Sequence, residues 1–210
     1  TFSSPYSRYR NLLVDKKVND INQLWTSDIT YFDVMGVFFY IVFIMDIYSR
    51  KIIGYSVANN MKATNNVEAL KMAFRTRKTS NFNQKLIHHS DRGGQYVSDA
   101  YTQLLTDAKI QISMCNDVYE NAHIERVNGT IKNQYLIDRK ITNFDDLVIE
   151  LKKAIHTYNN ERPHSALSNM TPFAFEQHIK ELDESKRPFL PIWTCDLSKN
   201  TNPNQCVIQF

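Results

Sequence analysis

Cysteine is scarce in this chain and carries no pattern. Cys115, Cys195 and Cys206 are the three among 210 residues, with no Cys-x-x-Cys spacing. That excludes a disulfide-stapled scaffold and fits a reduced, cytosolic protein. An excess of one charge is lacking too. Basic residues number 25 and acidic residues 22, leaving +3, which permits nucleic-acid binding without demanding it. No hydrophobic run is long enough for a membrane. The apolar stretch Val37–Ile47 is too short to cross a bilayer and reads as a buried strand. No signal peptide is visible, no repeat and no low-complexity tract. The first residue is Thr1, as in a fragment or a processed product.

What is present is enough apolar material, 42%, for one main domain with a sizeable core. Residues 1–20 read as an arm or linker, 21–178 as the core, and 179–210 as an irregular tail. Within the core, Leu24–Phe32, Val37–Ile47 and Lys51–Val57 read as three strands. Their short connections predict antiparallel pairing. The pattern then alternates: a helix over Thr64–Arg75, a strand over Lys85–His89, a helix opened by Ser98, and a strand over Ile110–Met114. Strands joined through helices should be parallel. A helix is predicted over Asp117–Leu136, with Asp117 and Glu120 fitting a capping box, and another over Phe144–Asn160 capped by Asn143. The sum is an α/β domain: a mixed five-stranded sheet, three antiparallel strands then two parallel, flanked by helices.

Three acids stand in distinctive surroundings. Asp28 lies in an otherwise apolar or hydroxylated strand, where a lone carboxylate is unfavourable unless paired or metal-bound. Asp91 ends a strand and is followed by Gly93-Gly94, where α/β sheets place their sites. Glu125 shares a polar helical stripe with Asn121, Asn128 and Lys132 at about 100° per residue. The bland reading of that stripe alone is a solvated face. Together the acids suit divalent metal ions and phosphodiester chemistry. Oxygen donors favour Mg2+, with Mn2+ as a substitute. His88 and His89 have no partners at zinc spacing and read as supports of their strand. Asp46 reads as structural, capping a turn or pairing with Arg50.

Several ordered motifs carry a resemblance. Trp25-Thr26-Ser27-Asp28-Ile29-Thr30-Tyr31, Asp46-Ile47-Tyr48-Ser49-Arg50, His89-Ser90-Asp91-Arg92-Gly93-Gly94-Gln95-Tyr96, Tyr119-Glu120-Asn121-Ala122 through Glu125-Arg126-Val127-Asn128-Gly129, and Tyr158-Asn159-Asn160-Glu161-Arg162-Pro163-His164 resemble bacterial insertion-sequence DDE transposases with a retroviral-integrase-type catalytic core. The resemblance implies a ribonuclease-H-like fold and a polynucleotidyl transferase that cleaves and joins transposon-end DNA. It implies a catalytic, metal-holding triad of Asp28, Asp91 and Glu125 with two Mg2+ ions per site. It makes Lys132 and Asn121 DNA-contacting residues beside the site, with Arg92, Tyr96, Arg126, Arg162 and His164 as further contacts.

The expected partners are double-stranded DNA, both transposon ends and target, and further copies of the chain in a homo-oligomer. No membrane and no small-molecule substrate is expected, and the expected location is the bacterial cytoplasm, at the nucleoid. Three departures from the family pattern are visible. The spacing from Asp91 to Glu125 is short, in the loop Cys115–Tyr119, the upstream helix-turn-helix region is not in the sequence, and residues 179–210 match no family motif. The short loop and the tail frame the alternative, a catalytically impaired DNA-binding remnant or regulator of a mobile element.

Overall fold

The computed structural model describes residues 9–13, 16–83, 85–115 and 121–191. Strands β2 (Leu24–Val34), β3 (Val37–Asp46) and β4 (Ile52–Ala58) form an antiparallel meander. Strands β5 (Ile87–Ser90) and β6 (Gln111–Met114) add in parallel on the far side of β2, giving the order β4-β3-β2-β5-β6. This is the sheet the sequence predicts. A two-residue strand β1 (Lys17–Val18) pairs separately with β7 (Leu190–Pro191).

Two layers of helices cover the sheet because its strands are apolar on both faces. On one face α1 (Ala63–Arg77) and α2 (Asp99–Asp107) pack over Trp25, Val42, Ile44 and Ile53. Gly54 lets α1 come close: a Cβ there would collide with the Ala69 carbonyl and stand 3.0 Å from the Ala73 nitrogen. On the other face lie α3 (Ala122–Thr130), a π-helical turn (Ile131–Leu136), α4 (Phe144–Asn160) and α5 (Pro172–Glu181). Their apolar residues meet Leu24, Ile41, Phe43 and Met45. Asn143 caps α4 through the Asp146 amide at 2.9 Å, as its sequence predicts.

Two expectations need correction. The long helix predicted over Asp117–Leu136 is α-helical over Ala122–Thr130, then widens into the π turn; its expected cap at Asp117 and Glu120 lies outside the described residues. Asp46 does cap its turn, accepting from the Tyr48 and Ser49 amides at 3.0 and 3.2 Å, but its ion pair is with Arg77 at 2.8 Å rather than with Arg50. Arg77 also meets Glu176 of α5 at 2.7 Å, and Lys51 meets Glu176 at 2.8 Å. This buried network joins the two helical layers through the end of the sheet. Packing also continues across both expected core boundaries. Val18 is buried, Arg187 pairs with Asp20, and the Tyr48 hydroxyl donates to the Pro188 carbonyl. The tail beyond residue 191 and the arm before residue 9 lie outside the described residues.

Candidate active site

Alternation along β2 decides where Asp28 points. Leu24 belongs to the core under α3 and α4, while Trp25 belongs to the core under α1 and α2. Period-two geometry therefore turns Thr26 and Asp28 toward α3 and Ser27 away from it. The contacts agree. Thr26 hydrogen-bonds Asn121, which also donates to the Ser27 carbonyl at 3.1 Å, and Asp28 accepts from Asn128 Nδ2 at 2.7 Å. On the opposite face Ser27 meets the Tyr96 hydroxyl at 2.9 Å.

Asp91 follows the C-terminal end of β5, whose Ser90 is in register with Ser27. Its Oδ1 accepts from the Gly93 amide at 2.9 Å. A Cβ at Gly93 would lie 3.0 Å from that same oxygen, so the glycine keeps room for the carboxylate to fold back. Glu125 stands exposed on α3, on the helix side that also carries Asn128.

The three acids share one electrostatic field. Burial pushes the Asp28 carboxyl up from 3.8 to about 7, and the charges of Asp91 and then Glu125 add to the rise. Burial also pushes Asp91 and Glu125 above the ordinary carboxylate range. Yet among the described residues no group of three His, Cys, Asp or Glu side chains is placed to hold a metal ion. The arrangement is an open cluster of negative charge from β2, the end of β5 and α3.

The other sequence-predicted residues divide. Lys132 lies at the start of the π turn with its Nζ 5.3 Å from the Tyr31 ring centre. Arg92 reaches the Cys115 carbonyl through Nε at 2.7 Å. Arg126, Arg162 and His164 line a separate cleft between α3, the end of α4 and the loop that follows. Tyr96 is 1% exposed and Asn121 5% exposed. Asn121 is built into the floor of the site and Tyr96 into the core on the opposite face of the sheet, so neither offers DNA the accessible side chain expected from the motifs. His88 and His89 do support their strand: His88 meets the Tyr101 hydroxyl at 2.9 Å and His89 meets Ser113 at 2.8 Å. Sequence reasoning assigned no role to Asn128, although its place on the stripe with Glu125 was the available signal.

Comparison with known proteins agrees with this architecture. Two models of the integrase core domain match residues 19–118 and 106–172. An uncharacterized 31 kDa protein of insertion element IS600 from Shigella sonnei is 32% identical over 77% of this chain and 59% of its own length. The transposase of insertion sequence element IS629, also from Shigella sonnei, is 34% identical over 74% of this chain and 52% of its own length. The chain thus spans little more than half the length of these curated relatives. Among solved structures, the HTLV-2 integrase catalytic core domain in complex with magnesium (trimeric form) superposes with a TM-score of 0.61. That match covers 80% of this chain and 99% of the viral one at 21% identity, and it establishes the ribonuclease-H-like fold. With its five-stranded core and these matches across residues 19–172, the chain belongs to the integrase core domain family.

Proposed function

We propose that this chain is the catalytic core of a transposase that cleaves and joins the DNA ends of an insertion sequence. The observation that carries the reading is the coupling of Asp28 to Asp91 and Glu125. Three elements distant in sequence bring like charges together, and burial first, then the charges of Asp91 and Glu125, raise Asp28 to about 7. A cluster that repels itself is a site made for a cation.

The donor set fits a hard divalent ion. Asp28, Asp91 and Glu125 would hold two Mg2+ ions, with Mn2+ as a substitute, because all their donors are oxygens. Asn128 adds support, since its Oδ1 is buried without a partner and suits a metal-bound water as donor. When bound, such ions supply a lowered water pKa and charge stabilisation for the oxygens of an in-line displacement. The chain's own residues do the positioning. Asn128 orients the Asp28 carboxylate and the Gly93 amide orients that of Asp91. Asn121 pins the start of α3 to β2 and so sets the depth of Glu125. Lys132 offers an ammonium to a DNA phosphate on the same helix side as Glu125. Arg92 is a further contact beside Asp91.

Transposition joins two ends to a target, so further copies of the chain are the natural partners, with double-stranded DNA. Replacement of each acid by its amide, assayed for metal-dependent cleavage and joining of an end-sequence duplex, tests the assignment. Full activity in Asp28→Asn, Asp91→Asn and Glu125→Gln would overturn it.

A further inference from the structure

Helix α3 has a second working side. Counting about 100° per residue from Glu125, Asn128 and Lys132 lie within about 60° of it, whereas Arg126, Thr130 and His123 lie about 100° to 160° away. That far side opens on a cleft of about 480 Å³. Its basic groups come from three separate places: Arg50 in the turn after β3, His123 and Arg126 on α3, and Arg162 and His164 after α4, with Tyr158 of α4 at the wall. No carboxylate lines it among the described residues.

Arg50 is the telling member. Its Nη1 is out of contact with solvent and has no hydrogen-bond partner. A buried guanidinium without an anion is costly, and burial together with the nearby Arg126 lowers its pKa to about 10. Asp46, which acts on it from a distance, is committed to Arg77 at 2.8 Å. His164 likewise has a buried Nε2 without a partner. Burial, with Arg162 and Arg50 nearby, pushes that imidazole down to about 4, so it is neutral at pH 7 and holds one N–H to donate. A forked guanidinium and an imidazole lining one cleft match the oxygens of a phosphate.

We propose that this cleft binds a backbone phosphate of DNA, on the side of α3 away from the triad, with Arg50 at its base and Arg162 and His164 at its rim. It rests on the reading of the chain as a DNA-cleaving core, and it gives that core a second anchoring point, so that α3 lies between the strand being cut and a phosphate held elsewhere. The source of the phosphate is DNA because the same helix carries both sites. An acidic protein segment is the rival occupant.

The test is duplex binding by fluorescence anisotropy in EDTA across a salt series, with the wild-type chain, Arg50→Gln, Arg162→Gln and, as control, Lys71→Gln on the opposite face of the sheet. Circular dichroism reports whether each variant folds. Arg162 sits at the rim, so its variant keeps the test open if Arg50→Gln does not fold. The expected result is roughly tenfold weaker binding for each arginine variant, with a salt slope smaller by about 0.9 for each phosphate no longer neutralised, and no change for the control. Arginine variants that coincide with a DNA-binding wild type would overturn the inference and leave the acidic segment as the occupant. A wild type that binds no duplex at any salt would overturn the DNA reading itself, and this inference with it.

Discussion

Asn128 Nδ2 donates to Asp28 Oδ2 at 2.7 Å, across 100 positions of sequence. This bond locks α3 to the middle strand of the sheet at the point where the acids converge. It also favours the charged carboxylate, against the burial and the like charges that favour the neutral one. Asn128→Ala should therefore leave the fold intact and free the Asp28 carboxylate to turn. Removing a partner that orients a metal ligand typically weakens metal affinity or activity by about 10–100-fold. Calorimetric Mg2+ or Mn2+ titration of the variant should show that weakening. An unchanged affinity would mean that Asp28 is held by something else.

The raised pKa of Asp28 makes a stability prediction with a definite sign. The folded chain holds this proton more tightly than the unfolded chain, where the pKa is near 3.8. The contribution is therefore full below about pH 4 and is lost as pH rises through about 7. In EDTA, Asp28→Asn should be more stable than wild type at pH 8, by on the order of 1–3 kcal/mol. The gap should close as pH falls to about 4. Urea unfolding at the two pH values measures it, and a variant less stable than wild type at pH 8 would contradict the electrostatic picture. Adding Mg2+ should narrow the gap at pH 8, because the ion relieves the same repulsion in the wild type.

Arg77 is 6% exposed and holds two acids, Asp46 at 0% and Glu176 at 2%. Removing the shared cation strands Asp46 in the interior and leaves Glu176 with Lys51 alone. Breaking such pairs costs roughly 3–5 kcal/mol, so Arg77→Gln should lower the urea midpoint sharply. A loss under about 1 kcal/mol would place it with surface ion pairs instead.

Lys132 lies against the exposed Tyr31 ring on the Glu125 side of the helix. Lys132→Gln should weaken duplex binding alike across sequences and reduce the salt slope by about 1. Binding titrations at several salt concentrations read both effects, and a slope equal to that of wild type would remove Lys132 from the phosphate-binding residues.

The sheet was readable from sequence because its signals are periodic. Three short-linked apolar strands followed by strand–helix alternation admit few topologies, and the order β4-β3-β2-β5-β6 follows. Helix α4 was equally plain, with its Asn143 cap and apolar stripe. The π turn at Ile131–Leu136 was not, since Ile131 and Leu136 remain buried and one widened turn leaves the apolar pattern nearly unchanged. Motifs located Asp28, Asp91 and Glu125, but not the depth of their neighbours. Tyr96 and Asn121 sit in the same stretches as the site acids, and only packing shows them to be buried, Asn121 where α3 meets β2 and Tyr96 in the core with α1 and α2. Asp46 caps its turn as expected, but its ion-pair partner is not local, for a related reason. Arg50 is four residues away, yet Arg77 arrives through the fold, at the end of α1. The motifs name Arg126, Arg162 and His164 one by one, but that they line one cleft with Arg50 shows only in the fold, because they come from distant segments.

The central claim is that these three acids form a metal-dependent DNA-cleaving and joining site. Its most direct test is disintegration of a branched DNA that mimics a joined transposon end, with wild type and Glu125→Gln in Mg2+, Mn2+ and EDTA. Product is expected from the wild type in either metal, with none in EDTA and none from the variant. Product from Glu125→Gln at the wild-type rate, or equal product in EDTA, would contradict the claim.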